Sequence, residues 1–240
     1  ILAFVACGVV GALGGDARPL PWPLRRVVCA VVPPACRAVL WSVGMWHVRV
    51  TGQRSHVSLF VSNHSSILDG FVLTAVLGAP AFVAREEGLS RLPIYSTILS
   101  AMQLVFVNSR SPDSRARAAR AISDRLLSRA AWPPLVVFPE GTTNGGSTTL
   151  LPFRTGAFRA PVACQPLLIT YPDTALPADS SGGLLAEIKF IARLMLTPRT
   201  RCTVQFLRPC TPTPDECAEP SRYAEAVRTR MMEGLSRRAE

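Results

Sequence analysis

No uninterrupted run of about 20 apolar residues occurs in this sequence of 240 residues, so nothing in it reads plainly as a membrane-spanning helix. The seven cysteines are scattered, with no C-x-x-C pair and no histidine at ligand spacing, which argues against a metal framework and fits buried thiols in a reducing compartment. Lysine is nearly missing: Lys189 stands alone and the other basic residues are arginine, a bias that reflects genomic base composition as much as function. Internal repeats and a low-complexity tail are also lacking. The first residue is isoleucine rather than methionine, so the chain reads as a piece of a longer protein with its N-terminus upstream.

What is present suits one sizeable α/β domain, since 48% of the residues are hydrophobic and the length is too short for two ordinary domains. The formal charge of +10 favours anionic company: nucleic acid, an anionic membrane face or a phosphorylated substrate. Two apolar stretches open the chain, Ile1 to Gly15 and Val27 to Val50, the second interrupted by Pro33, Pro34 and Arg37. Between them "DARPLPWPLRR" joins proline, tryptophan and paired arginines, a composition suited to the membrane interface. Residues 1–50 are therefore read as a membrane-associated helical region, and residues 51–240 as the remaining domain.

From Val57 onward, apolar runs of strand length alternate with helix-length segments. "VSLFV", "AFVA", "QLVFV", "PLVVF", "PLLITY" and "CTVQFL" read as strands. Helices are expected over Ile67 to Leu77, over Leu89 to Met102, from Pro112 through an arginine-rich segment, and from about Pro214 to Ser236. This alternation predicts an α/β fold: a central, mostly parallel or mixed sheet flanked by helices. The arginines between Arg115 and Arg129 more simply make a solvated helix face than a nucleic-acid surface, because no aromatic platform accompanies them.

The polar motifs follow the strands, and in such folds ligands gather at the carboxyl ends of strands. "NHSSILD" admits two readings. Ser66 and Asp69 match a capping box for the helix that follows. Alternatively, Asp69 holds one ring nitrogen of His64, just ahead of a helix N-terminus, leaving the other to act as a general base. "PEGTTNGG" places Glu140, Gly141 and Thr142 in a turn after a strand, and "LPFRTGAF" sets Arg154 before Gly156, where a guanidinium can grip a phosphate.

Together these blocks resemble the glycerolipid acyltransferases, the lysophosphatidic acid acyltransferase superfamily: "NHSSILD" is similar to its N-H-x-x-x-x-D signature and "VFPEGTTNG" to its F-P-E-G-T block. The F-V-x-S-R and D-S-R arrangement, the T-N after E-G-T and the Q-P-x-x-x-x-Y-P ending look most like the lysophosphatidylcholine and lysophosphatidylethanolamine acyltransferase branch. The resemblance implies that His64 deprotonates the free glycerol hydroxyl of a lysophospholipid while Asp69 orients the ring, with acyl-CoA as co-substrate, no other cofactor and no metal. It implies that Glu140, Gly141 and Thr142 position the acceptor and that Arg154 contacts phosphate. Arg110 and Arg85 are further binding candidates; in an ungapped match to F-V-x-R the basic position falls on Ser109, which leaves Arg110 one residue late. The partners implied are lysophospholipid, acyl-CoA and a membrane surface, with the endoplasmic reticulum as the expected location and no nucleic acid. Two alternatives stand beside this: an acyltransferase acting on lysophosphatidic acid, and a non-catalytic membrane adaptor that keeps the fold.

Overall fold

The computed structural model describes residues 18–85, 98–108, 110–144, 149–171, 189 and 201–239. Helix α1 (Trp22–Ser42) leads into strands β1 (Val48–Thr51) and β2 (Leu59–Ser62), then α2 (Asp69–Leu77), β3 (Ala81–Arg85) and β4 (Val105–Val107). Helix α3 (Pro112–Leu127), β5 (Leu135–Val137), a 3₁₀ turn (Thr155–Arg159), β6 (Cys164–Thr170), β7 (Cys202–Phe206), α4 (Pro214–Ala218) and α5 (Pro220–Ala239) complete the order.

The seven strands form one sheet in the order β1-β7-β6-β2-β5-β3-β4. Every pairing is parallel except β6 with β7. The sheet is thus mixed, with its parallel centre at β6-β2-β5-β3. Strand β2 shows why the centre is stable: Phe60 faces one hydrophobic cluster, with α1 and α2, while Leu59 and Val61 face the other, with α3 and α5. A central parallel strand covered on both faces loses the polar alternation of a half-exposed one, and all four β2 residues are buried.

Each expected strand is present, with ends shifted by a residue or two. Helix α3 starts as expected: Ser111 caps it by accepting the Ser114 N–H at 3.2 Å, and Pro112 fills the first turn, where its missing N–H costs nothing. Of the helix expected over Leu89 to Met102, residues 98–101 are helical and 89–97 lie outside the described residues. The single helix expected from Pro214 is two, broken at Glu219, because Pro220 lacks an N–H and its ring disfavours a helical residue before it.

Helix α1 continues unbroken through Pro33 and Pro34. The carbonyls left without an i+4 donor belong to Cys29 and Ala30, both on the exposed face, while Val28, Val32 and Leu40 bury the other side. Strand β1 crosses residue 50, where the sequence reading divides the chain, and it is hydrogen-bonded to β7 within the sheet. No helix among the described residues is long and apolar enough to cross a membrane, and Ile1 to Gly15 lie outside the described residues.

Candidate active site

Because β6, β2 and β5 are parallel neighbours, the loops that follow them emerge side by side on one edge of the sheet. That edge gathers His64 two residues past β2, Glu140 three residues past β5 and Tyr171 directly past β6. Residues separated by 76 and 102 positions in sequence thereby come within hydrogen-bonding reach.

The loop carrying His64 is tied to both neighbours. Asn63 behaves as an extra rung of the ladder to β6, its Oδ1 accepting the Ile169 N–H at 2.8 Å and its Nδ2 donating to the Ile169 carbonyl at 2.9 Å. The His64 main-chain N–H donates to Glu140 Oε1 at 3.2 Å, and its carbonyl accepts the Asn144 N–H at 2.8 Å. Its ring stacks on Phe138, centroids 4.2 Å apart and 19° from parallel. Its Nδ1 lies 2.9 Å from Asp69 Oδ2. That oxygen also accepts the Ser65 and Ser66 N–H groups at 2.6 and 2.9 Å, so the carboxylate is an acceptor and Nδ1 carries the proton. Nε2 has no partner among the described residues, and the ring lines a cavity.

One carboxylate serves the geometry of both readings of "NHSSILD" in part: it holds the His64 ring and accepts the Ser66 amide, while α2 has Leu68 at its N-cap and no side-chain cap bond. Asp69 opens α2 and bonds back to the amide of Ser66, as a capping acid does, while holding His64. Ser66 departs from the capping box in one respect: its hydroxyl accepts the Leu68 N–H at 3.2 Å. The far end of α2 is held by cations. Arg37 and Arg54 donate to the carbonyls of Ala75 and Leu77, each at 3.1 Å, and Arg25 donates to Ala79. Positive charge at a helix C-terminus satisfies orphan carbonyls and opposes the negative end of the dipole.

Glu140, which the resemblance assigns to the acceptor, is buried with both oxygens occupied by the protein: Oε2 accepts from Asn144 Nδ2 at 2.7 Å and from the Leu151 N–H at 3.0 Å. Gly141 has φ +68°, and its carbonyl accepts from Arg85. The Arg154 side chain lies directly over Gly141, brought there by a main-chain bond from Arg154 to the Pro139 carbonyl at 2.9 Å.

His64, Arg85, Gly141, Thr142 and Arg154 line one cavity of 1140 Å³, with Asp69 and Glu140 buried behind it. Arg110 is exposed at the start of α3 and is not among the lining residues, and Ser109 lies outside the described residues. The lining that α1, α2 and residues 98–102 supply, its apolar arm, includes Val31 and Val39 of α1, Ile67 just before α2, Phe71 within α2, and Leu99 and Met102. The lining from β3, α3 and the residues around the 3₁₀ turn, its basic arm, includes Arg85, Arg115, Arg154 and Arg159. Arg154 and Arg159 have no ion-pair partner among the described residues. The sequence reading did not single out Phe138, Asn144, Arg159 or Tyr171 as site residues. Tyr171 donates to Asp69 Oδ1 at 2.6 Å, and burial, followed by the Asp69 charge, pushes its hydroxyl well above the usual tyrosine range.

Residues 47–172 match the family model described as Acyltransferase. The chain is 34% identical over 222 residues to the human lysophospholipid acyltransferase LPCAT4, covering 88% of this chain and 41% of the relative. It is 30% identical over 240 residues to a lysophosphatidylcholine acyltransferase of Drosophila melanogaster, covering 97% and 44%. It thus spans less than half the length of these relatives. The crystal structure of the 1-acyl-sn-glycerophosphate (LPA) acyltransferase PlsC from Thermotoga maritima shares the fold, with a TM-score of 0.62 at 22% identity over 89% of this chain and 82% of that one. With the family model covering more than half of its length, from β1 through the end of β6, the chain belongs to the acyltransferase family.

Proposed function

We propose that this chain is the catalytic domain of a lysophospholipid acyltransferase that moves an acyl group from acyl-CoA to the free glycerol hydroxyl of a lysophospholipid, with a choline or ethanolamine head group favoured. The observation that carries the reading is the His64 ring: held at Nδ1 by Asp69, it turns an unpartnered Nε2 toward a cavity with an apolar arm and a basic one. Nε2 accepts the hydroxyl proton as the oxygen attacks the thioester carbonyl. The tetrahedral intermediate collapses with cleavage of the C–S bond, and the imidazolium returns its proton to the leaving coenzyme A sulfur. Such general-base work contributes roughly 10²- to 10⁴-fold.

The apolar arm suits the acyl chain. Arg154 and Arg159 offer uncompensated charge for phosphate on either substrate, with Thr142 beside them. Glu140 acts from behind, by fixing the main chain of His64. Exposed apolar residues of α1 include Trp22, Val27 and Trp41, with Trp46 just beyond, a surface suited to the membrane interface where both substrates reside. The relatives' names favour a lysophospholipid with a head group.

Membranes containing the protein, supplied with labelled acyl-CoA and a panel of lysophosphatidylcholine, lysophosphatidylethanolamine and lysophosphatidic acid, test this reading. Transfer to the first two, lost by about 10²-fold or more in His64→Ala, supports it. Transfer to lysophosphatidic acid alone reassigns the acceptor. Identical background for wild type and variant on every acceptor overturns the enzyme reading in favour of a membrane adaptor.

A further inference from the structure

The two oxygens of the buried Asp69 carboxylate are held from different parts of the fold. Oδ2 takes His64 Nδ1 and the Ser65 and Ser66 amides, all within one short loop. Oδ1 takes a single donor among the described residues, the Tyr171 hydroxyl at 2.6 Å, from the end of β6. Three donors on one loop fix the carboxylate relative to that loop alone. The tyrosine fixes it relative to the sheet.

We propose that Tyr171 is a positioning residue for acyl transfer, which orients the Asp69 carboxylate and, through it, the His64 imidazole. The inference rests on the acyl-transfer reading above. A phenylalanine would fill the same space, so packing does not require the hydroxyl. A 2.6 Å O–H···O contact to a carboxylate lies in the range of charge-assisted bonds, which are about twice as strong as neutral ones. The raised proton affinity of the tyrosine keeps it a donor throughout the working pH range. Cys202 lies beside the hydroxyl, but no described donor replaces it at Oδ1. Without it, Oδ1 is left buried and unpaired, and the carboxylate must turn or admit water. Either movement displaces the ring nitrogen that meets the substrate hydroxyl.

The test is Tyr171→Phe in the intact protein, read by acyl-transfer kinetics and by the NMR signal of the His64 Nδ1 proton, assigned by its absence in His64→Gln. The expected result is a fall in kcat of ~10- to 100-fold with KM little changed, the scale of a misplacement of about 1 Å, together with loss of the proton's protection from exchange with water. A kcat within about twofold of wild type overturns the proposal, whatever the signal does. A fall in kcat with an unchanged signal overturns it too, since the loss then reaches the reaction by another route. If wild type transfers no acyl group to any acceptor, the functional reading fails on its own, while the proton signal still reports whether Tyr171 steadies the pair. Should the phenylalanine variant not fold, 3-fluorotyrosine at position 171 replaces it, equal in outline but a stronger donor. The His64 signal moves if the two groups share the carboxylate, and its staying unmoved overturns the proposal.

Discussion

Glu140 Oε1 accepts the main-chain N–H of His64 at 3.2 Å, across 76 residues of sequence. The other oxygen takes the Asn144 side chain and the Leu151 amide, so one buried carboxylate ties the β2 loop to the β5 loop and to the segment beyond. Glu140→Gln keeps the shape but turns one oxygen into an NH₂ that faces donors. The variant is expected to lose about 1–3 kcal/mol of stability, the usual cost of an unsatisfied buried group, and to lower kcat more than it raises KM for the acceptor. Thermal melting with acyl-transfer kinetics checks this. A rise in acceptor KM at unchanged stability would instead mark Glu140 as a group that touches the substrate.

Gly141 sits at φ +68°, in the left-handed region, beneath Arg154. A Cβ built there lies 2.8 Å from Arg154 Cζ, so alanine pays twice: about 1–2 kcal/mol for the backbone and a displaced guanidinium. Gly141→Ala is expected to raise KM for the anionic substrate while leaving the fold intact. Arg154→Ala should raise KM in the same way without the loss of stability, and comparing the two variants by kinetics and melting separates strain from lost charge.

The strands that bury both faces were legible because their apolar runs are short and bounded by polar turns, as in "SLFVSN" and "PLVVFPE". The α3 start was legible because Ser111 and Pro112 act locally. Strand β1 was hidden because "VRVT" is an edge strand with no fully buried residue, overlapping the end of a stretch that reads as apolar helix. The continuity of α1 was hidden for a tertiary reason: packing of Val28, Val32 and Leu40 outweighs two prolines whose freed carbonyls belong to exposed residues. His64, Asp69 and the glycine of "PEGT" could be singled out from motif and spacing. The roles of Glu140 and Tyr171 could not, since both depend on partners brought in by adjacent parallel strands: the Q-P-x-x-x-x-Y-P ending marks Tyr171 as part of a motif but not as a partner of Asp69.

The apolar arm yields a prediction about chain length. Val31 projects from α1 into its wall, partly buried. Val31→Trp places a large ring in the arm without disturbing the His64 loop. Excluding two methylenes from burial forfeits about 1.6 kcal/mol, at ~0.8 kcal/mol each. KM for long acyl donors is expected to rise roughly tenfold, while short donors are spared. A series of acyl-CoA lengths checks it, and a uniform fall for all lengths would place the acyl chain elsewhere.

Cys36, on the same helix, also lines the cavity, and burial pushes its thiol from the ordinary 9.0 up to about 11, with Thr74 opposing the shift in part. A raised folded value means that the unfolded chain releases its proton first. The group leaves stability untouched below about 9 and erodes it as pH climbs from there through about 11, because ionisation then favours the unfolded chain. Cys36→Ala removes this one titration. Since other groups also titrate at high pH, the measurement is the difference in Tm between wild type and variant, followed from neutral to strongly alkaline pH. The difference is expected to stay constant to about 9 and then to move in favour of the variant by about 11. A difference that is flat across the whole range would mean that water reaches the thiol and that this wall of the cavity is wet.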